Sequence, residues 1–147
     1  MCSSDLLPLA EVTSAPEAKD FSCPGSVLRT IPQAGSAFTA DLGESLPVFF
    51  AKSQAWRDMN DAEKNASGVS RDEKPKIDVL LRYASTRLLL SGWIAKPEVL
   101  ANQAAWLRAT HGKGALHLFG FHPQYRGWSQ AAFQTIFRAI LLEKHVR

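Results

Sequence analysis

Short apolar runs of strand length alternate with turn-rich segments over the first half of the chain. Ser26–Ile31 follows a Pro-Gly turn and is closed by Pro32, so it predicts a short strand. The continuous apolar run Val48–Ala51 predicts a second, buried strand. Residues 35–43 are typical of a loop, and the charged residues 57–76 predict a solvated one.

Two pairs of strand-forming segments follow. Ile77–Tyr83 and Arg87–Ile94 are rich in β-branched, leucine and aromatic residues, and the short connection between them predicts a hairpin. Ala104–Thr110 and Ala115–Phe121 flank a Gly-x-Gly turn and predict a second hairpin.

The apolar spacing changes to that of a helix near the C-terminus. Ser129 is a suitable N-cap, and six apolar residues after it occupy one helical face. They are Ala132, Phe133, Ile136, Phe137, Ile140 and Leu141. We expect Phe133 and Phe137 to pack against Phe119 and Phe121. The elements together predict an α/β fold: a partial layered sheet of short strands with a C-terminal amphipathic helix packed on it.

Composition narrows the class of protein. The 147 residues are 46% apolar and 21% charged, which is ordinary for one globular domain. The net charge is +3, and the Lys and Arg residues do not form a concentrated run. This distribution argues against a nucleic-acid partner. No apolar run approaches about 18 residues, so no membrane-spanning helix is predicted. Two cysteines do not make a disulfide framework.

The first residues differ in character from the rest. Met1–Leu6 resembles the translation of a sequencing-adapter oligonucleotide, and the start has no basic region followed by an apolar core. We therefore expect residues 1–20 to be an artefact and a frayed lead-in, and residues 21–147 to form the domain. The natural protein is expected to begin farther upstream.

The usual signatures of catalysis and metal binding are missing from the sequence. Position +3 after His111, His117 and His122 holds no zinc ligand, and His145 has no residue there. Neither a phosphate loop nor a nucleophile elbow occurs. Cys23 precedes Pro24, which disfavours an activated thiol at a helix start. We predict no catalytic residue, no metal ligand and no cofactor in this chain.

The most unusual segment joins the last strand to the helix and mixes polar groups with aromatic ones. Its candidate ligand-binding residues are His122, Gln124, Tyr125 and Arg126. They follow a strand end, where ligands are commonly recognised in α/β proteins. The alternative is a structural corner, in which Gly120 allows close packing and Arg126 binds backbone carbonyls. The four tryptophans are expected in the core rather than on a sugar-stacking surface.

An ordered set of segments resembles a known family. The segments are Phe21–Arg29, Val48–Ala51, Leu90–Trp93, Gly112–Gly114 and Leu118–Gly127. Together they resemble the C-terminal end of large bacterial proteins of the zinc carboxypeptidase (carboxypeptidase A-like) family. Those proteins carry a catalytic domain first and a glutamine amidotransferase-like α/β domain near the C-terminus. The likeness runs from about residue 21 to 143, and His122 departs from the arginine often expected there.

The resemblance implies a role without chemistry of its own. The family hydrolyses its substrates with zinc held by His-x-x-Glu and a later His, which this chain lacks. The resemblance then implies that residues 21–147 are the C-terminal part of the amidotransferase-like domain, a non-catalytic accessory piece whose partner is the N-terminal peptidase domain of the same parent chain. Zinc is implied for that missing domain, and a periplasmic or secreted location is suggested by the relatives. The alternatives are a stand-alone module for a small polar ligand or glycan, and an interaction or scaffolding domain.

Overall fold

An antiparallel sheet of short strands with one C-terminal helix packed on it forms the α/β fold, as the sequence predicts. The computed structural model describes residues 7–59, 75–111, 113–127 and 129–143. The adapter-like Met1–Leu6, most of the charged segment and Trp128 lie outside these residues. The described strands are β1 Leu9–Glu11, β2 Ser26–Pro32, β3 Leu46–Phe50, β4 Trp56–Asp58, β5 Lys76–Tyr83, β6 Leu89–Ser91, β7 Ala104–His111 and β8 Gly114–Phe119; the helix is α1 Gln130–Leu142.

The sheet curls, and the segment after β8 joins two of its distant strands. The main strand order is β1-β4-β7-β5-β2-β3, with β6 beside β2 and β8 beside β7. Gly120 N–H donates to Ala105 O at 2.8 Å on β7. His122 N–H donates to Phe49 O at 2.9 Å on β3. Residues 120–122 therefore connect β7 to β3 and position the candidate corner.

The hairpin predicted between β5 and β6 is wrong, whereas the β7–β8 hairpin is confirmed. Both β5 and β6 pair with the same edge of β2. Between them, Arg29 N–H donates to Leu88 O and Ala84 N–H donates to Arg29 O, at 2.7 and 3.0 Å. The two segments therefore form one interrupted strand, from which residues 85–87 protrude. In this course Tyr83 and Leu88 are both buried in the core.

Residues 7–12, for which the sequence indicated an irregular lead-in, belong to the sheet. Strand β1 pairs with β4, and Leu7 and Leu9 are both buried. Val12 N–H donates to Ala55 O at 2.9 Å. A strand of three residues carries too few alternating positions for its period to be recognised in the sequence.

The core lies on both faces of the sheet. Trp106 and Leu107 are consecutive on β7, so their side chains point to opposite faces, and both are buried. The larger cluster surrounds Trp106 and includes the underside of α1, while the smaller one surrounds Leu107. Trp56 and Trp106 are in the core as expected, but Trp93 is exposed.

Helix α1 packs with its small residues inward. Ala132, Thr135 and Ala139 are buried, whereas Phe137 is 58% exposed, so the predicted contact of Phe137 with the strands is wrong. Both ends of the helix are fixed: the Ser129 hydroxyl donates to Pro47 O at 2.7 Å, and an ion pair holds Glu143. Ser129 occupies the N-cap position but makes no capping bond with its side chain. These two anchors set the rotation of the helix.

Substitution of the two phenylalanines tests this orientation. Phe121→Leu is expected to lower the free energy of unfolding by about 1 kcal/mol, because Phe121 is 4% exposed. Phe137→Leu is the matched control and is expected to change it by less than about 0.5 kcal/mol. Urea unfolding of both variants measures the difference; equal losses would mean that Phe137 packs in the core.

Candidate functional site

The strand-end corner, residues 120–127, brings most of the predicted ligand-binding residues onto one surface. The Tyr125 ring stacks on Phe49 with centroids 4.0 Å apart and planes at 11°. The Arg126 guanidinium lies over the Tyr125 ring, 5.3 Å from its centroid. The His122 ring lies 6.2 Å from the Tyr125 ring, and Gln124 is exposed to solvent.

Much of the bonding capacity of this corner is used internally. His122 Nε2 lies 3.0 Å from Ala51 O, which can only accept, so the imidazole donates there. Phe49 covers one face of the Tyr125 ring, and the Arg126 guanidinium covers the other. The close packing at Gly120 is that expected of a structural corner, whereas the Arg126 guanidinium lies over the Tyr125 ring; ligand recognition by His122, Gln124, Tyr125 and Arg126 stays a prediction.

The backbone of the corner turns through a left-handed conformation. Arg126 has φ 45° and ψ 20°, and Gly127 follows with φ 67°. A residue with a side chain adopts this region at a cost, which the surrounding contacts must offset. The stack of Phe49, Tyr125 and Arg126 is such a contact, and it directs the chain towards the start of α1.

A cavity of about 330 Å³ lies beside the corner, between the β2–β3 surface and the first turn of α1. It is lined by Val27, Pro47, Phe49, Ser129, Gln130 and Ala131. Most of these side chains are apolar, and the Ser129 hydroxyl is already bonded to Pro47 O. The cavity can accept a small, mainly apolar group.

A buried polar network, which the sequence analysis missed, ties the sheet to the end of α1. We call it the sheet–helix network; it contains Asp78, Trp106, Arg108, His117 and Glu143. Arg108 donates from Nε and Nη2 to the two Glu143 oxygens at 2.9 and 2.8 Å, and from Nη1 to Asp78 Oδ2 at 3.3 Å. The side chains of Arg108 and Glu143 are only 9% and 18% exposed.

The strand register explains how the network assembles. Asp78, Arg108 and His117 lie directly opposite one another on β5, β7 and β8. Residues in such register share a face of the sheet, so their side chains meet. The sequence shows the strands, but nothing in it links Glu143, 35 residues beyond Arg108, to this position.

Charge pairing dominates the electrostatics of the network. The hydrogen bonds from Arg108 are the main cause that lowers the pKa of Glu143 from 4.5 to about 2. The same bonds raise the pKa of Arg108. Burial lowers the pKa of His117, and this effect outweighs the opposing pull of Glu143. The network therefore holds Arg108 paired with two carboxylates, Glu143 and Asp78, and at neutral pH an uncharged histidine.

The hydrogen bonds of His117 define its tautomer. The Trp106 indole N–H donates to Nδ1 at 3.1 Å, so Nδ1 carries no proton. Nε2 then carries the proton and donates to Glu143 Oε2 at 3.2 Å. With both nitrogens engaged, His117 serves packing and orientation rather than proton transfer to a bound molecule.

We expect His117 to titrate below 6.5 as the Nε2–H tautomer. Its stabilising contribution is then present above pH 6.5 and falls as the pH drops below that value. In Trp106→Phe, which removes the donor to Nδ1, the pKa of His117 should rise; Trp93→Phe, at an exposed site, is the control. Nitrogen NMR of the imidazole measures both the pKa and the tautomer of His117. An Nδ1–H tautomer in the unsubstituted protein would contradict the assignment.

The described residues offer little for metal or thiol chemistry. Among them, no group of three or more His, Cys, Asp or Glu side chains is placed to hold a metal ion. Cys23 is buried, and burial raises its pKa despite a hydrogen bond from Ser26. Its thiol is therefore poorly ionised at neutral pH. Within the described part of the chain, no helix is long and apolar enough to cross a membrane.

Comparison with known proteins does not extend this description. Searches against family models, curated proteins and solved structures found no match. The resemblance carried by the sequence segments therefore stays a hypothesis.

Proposed function

We propose that this chain is a non-catalytic C-terminal accessory domain of a zinc metallocarboxypeptidase, whose upstream domain carries out proteolysis. The observation that supports the non-catalytic part is the engagement of three reactive side chains among the described residues. His117 has both ring nitrogens bonded, His122 donates to Ala51 O, and Cys23 is buried. Each of these side chains stabilises the fold.

The geometry of the resembling segment supports the same interpretation. A Cβ atom on Gly120 would lie 2.1 Å from Gln54 O, so this position requires glycine. Phe121 is in the core, and Tyr125 stacks on Phe49. The residues that carry the resemblance therefore build the corner, as expected of a segment that specifies a fold. In this proposal zinc belongs to the upstream domain, and the parent protein is exported.

Two measurements test the proposal. The purified chain should release no C-terminal residue from peptides and retain no zinc after dialysis. Sequencing across the region upstream of Leu7 should recover a domain with His-x-x-Glu and a later His, preceded by an export signal. Near-stoichiometric zinc in the isolated chain, or an upstream region without these motifs, would overturn it.

The exposed residues of the corner favour a second candidate, a module that binds a small polar ligand or glycan. Gln124 and Arg126 are exposed, and the corner to which they belong shares Phe49 with the 330 Å³ cavity. NMR titration with neutral oligosaccharides should then shift the Gln124 and Arg126 signals. Gln124→Ala should weaken this binding without changing stability, and the absence of any shift would contradict the candidate.

A further inference from the structure

One side of α1 carries five large apolar side chains that point away from the core. We call it the outer helix face, and its members are Phe133, Ile136, Phe137, Ile140 and Leu141. At about 100° per residue, they span about 140° of the helix circumference. Phe137, Ile140 and Leu141 are each 58% exposed, and Phe133 and Ile136 are half-buried. Among the described residues, no other large apolar side chain is exposed to this extent.

The outer helix face is held outward and contains no charge. The bonds of Ser129 and Glu143 to the sheet fix the two ends of α1, so a rotation that turned this face inward would break both. The one charged residue of α1, Arg138, lies outside the face and donates to Ala37 O at 3.3 Å. A rigid apolar surface loses little conformational entropy when it is covered, and two identical uncharged surfaces do not repel each other.

The order of residues along the outer helix face fits an antiparallel contact with a second copy of the same helix. Its first four members are spaced i, i+3, i+4 and i+7, which is symmetric about the midpoint between Ile136 and Phe137. Two copies of α1 can therefore pack antiparallel about a twofold axis through that midpoint. Phe133 of each copy then faces Ile140 of the other, and Ile136 and Phe137 lie at the axis. Each phenylalanine at the ends of the contact meets an aliphatic side chain.

Leu141 extends this contact along one edge. It lies on the same side of the helix as Gln130 and Gln134, which are both exposed. A twofold axis between antiparallel helices brings equivalent edges together, so Leu141 of one copy lies between the two glutamines of the other. The glutamine methylene groups cover the leucine, while their amides, which both donate and accept, stay in contact with solvent.

The area of the contact reaches that of a specific interface. A fully exposed side chain of this size presents on the order of 200 Å², so the three residues that are 58% exposed offer roughly 350 Å². The half-buried members and the two glutamines raise the area to roughly 550 Å² per copy. Two copies then bury roughly 1,100 Å², compared with about 1,000 Å² for a specific interface and less than about 800 Å² for most incidental contacts.

We propose that two copies of this chain associate through the outer helix face as a symmetric, antiparallel dimer. Because the surface pairs with itself, association stops at two copies. For an interface of this area, we expect a dissociation constant on the order of 10 μM. The inference concerns this chain alone and stands whether or not the proposed function holds.

Sedimentation of the 147-residue chain tests the proposal. Between about 1 and about 200 μM, the monomer should convert to a dimer. Phe137→Asp places two carboxylates at the twofold axis and should raise the dissociation constant at least about 100-fold. Leu90→Asp is the matched control, because it introduces the same charge at a side chain of β6 that is 44% exposed. It should change the dissociation constant by less than about 2-fold.

A second measurement needs no substitution. NMR spectra of the chain at about 200 and about 5 μM should differ at the methyl groups of Ile136, Ile140 and Leu141 and agree at those of Leu90. A monomer at about 200 μM would overturn the proposal and would indicate that another segment covers the face. Weakening by Leu90→Asp but not by Phe137→Asp would place the contact on the sheet instead. Assemblies larger than a dimer would contradict the twofold contact.

Discussion

Replacement of Arg108 by leucine is expected to lower the free energy of unfolding by about 3 kcal/mol at pH 7. The guanidinium is almost fully buried and bonds both oxygens of Glu143, so its removal leaves a carboxylate without its main partner in a largely buried position. The end of α1 then loses its anchor to β7. Urea unfolding followed by tryptophan fluorescence measures the loss.

Two further variants isolate the ion pair in this experiment. Arg82→Leu, on the adjoining strand, removes a solvent-exposed bond to Asn102 O and should cost less than about 1 kcal/mol. Arg108→Leu combined with Glu143→Gln should regain about 1 kcal/mol, because the stranded charge is gone and His117 keeps an acceptor. A loss for Arg108→Leu no larger than that for Arg82→Leu would contradict the assignment.

The same pair makes stability depend on pH in acid. Folding lowers the pKa of Glu143 from 4.5 to about 2, so its contribution is complete above pH 4.5 and declines as the pH falls towards 2. Arg108→Leu removes the main cause of the lowered pKa, and the variant should lose less additional stability across this range. Unfolding curves at pH 6 and pH 3 provide the comparison.

Introduction of a single methyl group at Gly120 is expected to destabilise the protein by about 3 kcal/mol. In Gly120→Ala the new Cβ atom would lie 2.1 Å from Gln54 O, which belongs to the backbone and cannot rotate away. The backbone must therefore shift, which weakens two hydrogen bonds. One runs from Gly120 N–H to Ala105 O, and the other from the Tyr83 hydroxyl to Gly120 O. The connection between β7 and β3 is then lost or distorted.

Gly25→Ala is the matched control for this substitution. Its Cβ atom would lie 3.5 Å from Phe49 Cζ, an ordinary contact, so the expected change is within about 0.5 kcal/mol. Thermal unfolding of both variants is the measurement. A wild-type-like melting temperature for Gly120→Ala would show that the corner does not approach Gln54 so closely.

Local sequence patterns predicted those parts of the fold that depend on neighbouring residues. Ala104–Phe121 formed the expected hairpin, because its turn and both strands lie within one short segment. The period of α1 located the helix but not its rotation, because the wide apolar band allowed either side to face the sheet. The rotation of the helix is set by the bonds of Ser129 to Pro47 and of Glu143 to Arg108. Both partners are distant in sequence, so the local pattern could not predict them.

The candidate site shows the same division. His122, Tyr125 and Arg126 were recognised because they are adjacent in an unusual segment, and the structure places them together. The stack on Phe49 could not be predicted, since it depends on the curl of the sheet. The sheet–helix network was missed for a similar reason: its residues come from three strands and a helix end.

The interruption between β5 and β6 makes the protein a suitable host for inserted sequence. Arg29 bonds Ala84 and Leu88 across the base of the loop, so the sheet is complete without residues 85–87. Ser85 and Thr86 are exposed, and the entropy of closing a loop grows only slowly with its length. An epitope tag or a fluorescent peptide placed between them would be displayed on the surface while the strands on either side keep their register.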